Sequence, residues 1–177
     1  MQRLIIIILS IAITCSCKNQ KSLIGNWDTT SVSFHDYMSK STFTIYDRNN
    51  QDVVKEMLLK KYLEQKGDDS SGLKEKLDKD FLKYNSSNLI LETDSSFFMK
   101  SFGIIIPTTE PGWHFGDTLA GKWTHYGNNT LKLEIGDIGI NHPFFFKINK
   151  LTYDSLNISM TDESYMNPYI NIQFVRH

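Results

Sequence analysis

The stretch LAGKWTHYGNNTLKLEIGD, residues 119–137, decides the fold. Its second half alternates without interruption, Leu131, Leu133 and Ile135 on one parity and Lys132 and Glu134 on the other. A period of two marks a β-strand with one buried and one wet face. GNN at 127–129 supplies the turn before it. In the first half, placing Trp123 inward sends His125 inward too, and Lys122, Thr124 and Tyr126 outward. The stretch reads as two antiparallel strands joined by a tight turn.

The same pattern continues on both sides. PFFFKINKL (143–151), SLNISMTD (155–162) and YINIQFVRH (169–177) follow, punctuated by GDIGINH, TYD and ESYMNP. Upstream lie SNLILETD (87–94), SSFFMKSFGIIIP (95–107) and the short WHF (113–115). Nearer the start, LIGNWDTTSVSFHDYM (23–38) changes parity between Trp27 and Val32, which predicts two half-buried faces or a bulge between them. STFTIY (41–46) alternates cleanly. Consecutive strands with one wet face and short turns form an antiparallel meander. Eight or nine of them hide their edges best by closing into a barrel.

One segment breaks the rule. In DVVKEMLLKKYLEQ (52–65), Val54, Leu58 and Tyr62 recur at four-residue spacing with Met57 beside them. KGDDSS interrupts, and GLKEKLDKDFLKY (72–84) repeats the stripe with Leu73, Leu77 and Phe81. These residues predict a two-helix insertion over 52–84, docked on the sheet by its apolar stripes.

LIGNWDTT (23–30) and LAGKWTHY (119–126) share Leu-x-Gly-x-Trp. The first resembles the Gly-x-Trp entry of lipocalins, and the second, with the strands after it, resembles the lipocalin-like domains of small bacterial lipoproteins. That resemblance implies a mainly β, lipocalin-like barrel over residues 23–177, in which Gly25 and Gly121 permit close packing while Trp27 and Trp123 plug the barrel. It also implies a binding module for a small apolar or amphipathic ligand. Thr29 shares the face of Trp27, and His125 that of Trp123. Both are therefore candidate ligand contacts, the few polar groups in an apolar interior that orient a guest.

Both cysteines lie in SIAITCSCKNQKS (10–22), after the apolar run Leu4–Ile13 and the single cation Arg3. The run is too short to span a bilayer, which takes ~20 residues. A basic start, a short apolar stretch and small residues describe a secretory signal. A Cys15–Cys17 disulfide would close almost no loop, and no histidine stands near enough in sequence for zinc. The segment resembles the lipobox of bacterial lipoproteins. That implies a signal over 1–16, lipid on Cys17 after Ser16, and a tether over 17–22, with Cys15 after Thr14 as the other choice. The expected location is the cell envelope, held to the membrane by lipid. With no acidic cluster after Cys17, the periplasmic face is favoured over the cell surface.

Catalytic chemistry finds little support. The five histidines lack His-x-x-x-His spacing, and there is no Gly-x-Ser-x-Gly elbow or phosphate-binding glycine loop. No metal or cofactor is expected, and a hydrolase would need distant carboxylates to converge. A formal charge of −1 with no basic cluster argues against nucleic acid. The rival to a ligand carrier is an envelope-anchored interaction protein, such as an immunity protein or inhibitor, which needs a surface and no cavity.

Overall fold

The computed structural model describes residues 23–36, 41–66, 71–100, 118–127, 129–135, 143–160 and 169–177. The signal, Cys15, Cys17, the tether, the 113–115 strand, His114 and His142 lie outside them. The elements in order are β1 (Gly25–Asp36), β2 (Ser41–Asp47), α1 (Gln51–Lys66), α2 (Ser71–Asn85), β3 (Asn88–Leu91) and β4 (Ser96–Lys100). Then follow β5 (Thr118–Tyr126), β6 (Thr130–Ile135), β7 (Phe144–Leu151), β8 (Ser155–Met160) and β9 (Tyr169–Arg176).

Among the described residues nine strands fill eight positions of a closed antiparallel barrel. From β3 to β9 each strand pairs with the next, and β9 pairs with β1. The remaining edge of β1 is divided. Gly25–Asp28 pair with β3, and Ser31–Asp36 pair with β2. The two short strands share one place, end to end, and the helical insertion runs between them. Asp28 stands at this fork. Its carboxylate lies 3.6 Å from the Arg48 guanidinium and 3.2 Å from His177 Nδ1.

The parity change in β1 is a bulge. Thr29 pairs with Phe174 and Ser31 with Gln173, so Thr30 is skipped. One extra residue returns Val32 and Phe34 to the face already occupied by Trp27 and Thr29. All four are buried. Two more bulges occur. One skips Ile45 in β2, so residues 41–46 do not alternate cleanly and Tyr46 takes the inward place, and the other skips Asn149 in β7. In β6, β8 and β9 the inward set keeps its period: Leu131 and Leu133, Leu156 and Ile158, and Ile170, Ile172 and Phe174 are buried. Their neighbours Lys132, Asn157 and Gln173 keep contact with solvent.

The helices extend this core. Tyr46 stands opposite Val32 in the register, on the same face. It stacks on Tyr84 at 4.9 Å and meets the edge of Phe81 at 5.6 Å. The insertion thus packs from the interior side, where β2 leaves β3. Lys55 binds Asp78 across the two helices at 2.7 Å and lies over the Phe81 ring. Of the expected stripes, Val54 and Phe81 are buried, while Leu58, Leu73, Leu77 and Tyr62 are half-buried and Met57 is exposed. Each helix docks most deeply near its strand-linked end, so burial fades toward the connection between them.

Candidate functional site

The two ends of the barrel differ. At one end the connections are tight: residues 92–95 join β3 to β4, 127–129 join β5 to β6, and 152–154 join β7 to β8. Ser95 and Gly127 take the left-handed conformation such turns need, with φ of 66° and 61°. Asp94 accepts from the Ser96 hydroxyl and backbone N–H, which hold its carboxyl below the usual carboxylate range. Asp154 accepts from the Thr152 hydroxyl with the same effect. At the other end the strands are linked through 37–40, 101–117, 136–142 and 161–168, outside the described residues.

Both tryptophans belong to the turn end. Gly25, Leu91, Phe97 and Gly121 stand on one rung running from β1 to β5. Because β1 and β5 run in opposite directions, Trp27 lies on one side of this rung and Trp123 on the other. Trp27 Nε1 donates to Leu23 O at 2.8 Å, and Trp123 Nε1 donates to Glu92 O at 3.0 Å. Each ring N–H therefore ties a buried indole to the chain that covers this end, as a buried indole donor requires.

Both glycines have a steric reason. Gly25 has φ of 150°, and a Cβ there would meet the Arg176 guanidinium at 3.4 Å. A Cβ on Gly121 would run into the Glu134 carbonyl oxygen and lie 2.9 Å from Phe97 Cε1. The Arg176 guanidinium covers the Trp27 ring at 4.3 Å, faces Tyr153 at 5.3 Å, and donates to Ile24 O at 3.2 Å. Sequence reasoning missed Arg176. Nothing local marks it, since Trp27 and Ile24, which it covers and binds, lie some 150 residues earlier in the chain.

Thr29 and His125 are not brought together. Two strands, β3 and β4, separate theirs, and the glycine rung lies between their levels. Thr29 is fully buried and its Oγ1 has no hydrogen-bond partner. His125 is half-buried on the inward face, opposite Leu131. Around them the middle of the barrel is packed. Trp27, Leu89, Phe97, Met99, Leu133 and Phe146 all have no accessible surface, whereas side chains lining a water-wide hollow would retain some.

Toward the far end the packing loosens. Ile135, Phe144 and Met160 face inward and lie against the core, yet each is only half-buried. Two open depressions of about 470 and 420 Å³ lie elsewhere, one on α2 and one over Arg48–Val53. Among the described residues no three His, Cys, Asp or Glu side chains gather as a metal site would require. No described helix is long and apolar enough to cross a membrane. Comparisons with protein families, curated proteins and solved structures find no match to this chain.

Proposed function

We propose that this chain is a lipid-anchored binding module of the cell envelope, and that its far end takes a small apolar or amphipathic molecule. One observation carries the reading. At the turn end two buried indoles are tied to backbone carbonyls, while at the other end Ile135, Phe144 and Met160 are half-buried apolar side chains facing inward. A guest seated on that rim would gain apolar burial without displacing the packed middle. On this reading the site is a shallow mouth, and Thr29 and His125 are structural.

A second reading has its own support. Val53 and Met57, one turn apart on α1, and Leu82 on α2 are large apolar side chains left exposed. They favour a protein partner docking on the helices, as an immunity protein or inhibitor would require.

Titration of the full chain with an uncharged, apolar fluorescent dye separates the two. A ligand mouth gives saturable binding that Phe144→Asp abolishes in a still-folded variant. Absence of saturable binding removes the small-ligand reading and leaves the helix surface. The anchor is tested by metabolic labelling with an alkyne-tagged palmitate. Wild type should be marked and Cys17→Ser should not; loss on Cys15→Ser alone would move the lipid to the other cysteine.

A further inference from the structure

We infer that the turn end of the barrel rests on the lipid bilayer, with Tyr126 and Tyr153 at the headgroup level and the far end facing the aqueous space. The inference depends on the anchor reading and goes beyond it by fixing which face of the protein meets the membrane. It starts from where the chain enters the fold. Leu23 is fully buried at the turn end, where its carbonyl accepts from Trp27 Nε1. Arg176 binds the next carbonyl, that of Ile24.

Only residues 18–22 separate Leu23 from the acylated Cys17. The six Cα–Cα steps between those two residues span at most ~20 Å even when fully extended. The 9-residue β5 runs from one end to the other. At ~3.3 Å per residue and the ~35–45° tilt of barrel strands, the ends stand ~20 Å apart. To bring the far end to the bilayer, the tether would have to lie taut along the whole wall. Lying at the turn end costs it no such extension.

The exposed side chains at that end suit the contact. Tyr153 is 84% exposed and Tyr126 65% exposed, although both are held by neighbours. Tyr153 faces the Arg176 guanidinium, and Tyr126 meets the edge of Phe145 at 6.3 Å. Tyrosines with an apolar body and a polar tip collect at the membrane–water interface. The charges nearby include Glu92, Asp94 and Asp154 but also Lys122, Lys150 and Arg176, so neither sign dominates this end. The contact is therefore made with the interface itself and does not call for anionic lipid; it should change little with salt.

The test uses the acylated full chain in phosphatidylcholine vesicles. Single cysteines carrying an environment-sensitive fluorophore are placed at Asn129 in a tight turn, Thr118 at the far end, and Leu82 on the helical flank. Nitroxide lipids in the headgroup region should quench the Asn129 label several-fold more than the Thr118 label, with Leu82 between them. Strongest quenching at Thr118 would invert the orientation, and strongest quenching at Leu82 would lay the barrel on its helices; either overturns the inference. Flotation is measured on the same samples. Protein that fails to float shows that the anchor reading has failed, whereas floating protein with the wrong quenching order shows that only the orientation has. The double variant Tyr126→Ser, Tyr153→Ser should float as wild type but lose at least half of the Asn129 quenching; unchanged quenching would remove the tyrosines from the contact.

Discussion

Adding one methyl group at Gly121 should be among the most damaging small changes possible in this barrel. Gly121 lies in β5 opposite Ile135 of β6, beside the rung that pairs Lys122 with Glu134. A Cβ there would strike the Glu134 carbonyl oxygen, which is backbone, and would press on the Phe97 ring at 2.9 Å. Phe97 is fully buried and cannot swing into solvent. Relief therefore requires β5 and β6 to separate or the ring to leave its place. Overpacking of this kind costs ~1–3 kcal/mol, and the backbone obstacle puts Gly121→Ala at ~3 kcal/mol. At ~2–4 °C per kcal/mol for a domain of this size, the melting midpoint should fall by ~6–12 °C. Gly72→Ala is the control, because a Cβ at that position in α2 meets nothing within 4 Å. It should leave stability unchanged or raise it by up to ~1 kcal/mol. Thermal unfolding followed by circular dichroism reads both. A Gly121→Ala midpoint within ~2 °C of wild type would refute the packing argument.

Trp123→Ala should cost ~3–5 kcal/mol in chemical unfolding, since it empties a fully packed site; an unchanged midpoint would remove its role in closing the turn end. Trp123→Phe should cost less but still lower stability by ~1 kcal/mol, through loss of the bond to Glu92 O. Thr29→Val should raise stability by ~1 kcal/mol, because it removes a buried hydroxyl that has no partner; a loss of dye binding without that gain would instead return Thr29 to the ligand site. Burial, with Asp80 adding to it, pushes the Tyr84 hydroxyl well above its ordinary value. An unfolded tyrosine ionises near pH ~10, so the stability that neutral Tyr84 contributes is complete below that pH and is lost as the pH rises beyond it. Urea unfolding between pH 9 and 11 should show a shallower alkaline decline for Tyr84→Phe, and parallel pH curves would contradict the assignment.

Strand identity was readable because a closed barrel with one wet face enforces the two-residue period over long stretches, as at Leu131–Ile135 and Ile170–Phe174. The change of parity between Thr29 and Val32 pointed to a bulge in β1 or to two half-buried faces, and the register decides for the bulge. Partnership was not readable. A period of two says which face a residue takes and nothing about which strand lies beside it, so the sharing of one place by β2 and β3 had no signature. The helical stripes named the docking faces but not their extent. Leu73 and Leu77 fit the pattern as well as Phe81 does, yet it is Phe81 and the unforeseen Tyr84 whose rings pack on Tyr46, and Asn85 that accepts from its hydroxyl. The same limit hid Arg176 and the common rung of Gly25 and Gly121. The two Leu-x-Gly-x-Trp segments look like a repeat, but their strands run in opposite directions, and no periodicity could reveal that.

The ladder between β1 and β9 has a kinetic consequence. Asp28 and His177, at its margin, are 149 residues apart, while the hairpins β3–β4, β5–β6 and β7–β8 close over turns of a few residues. Loop-closure entropy grows as (3/2)RT ln n, so joining β1 to β9 directly costs ~3 kcal/mol more than closing one hairpin. The hairpins should therefore assemble first and the seam last, on the millisecond-to-second scale of folds dominated by distant contacts. Until the seam closes, the sheet is a curled strip with two bare edges. Those edges are the part of the folding chain most open to capture by a chaperone or by another copy of itself.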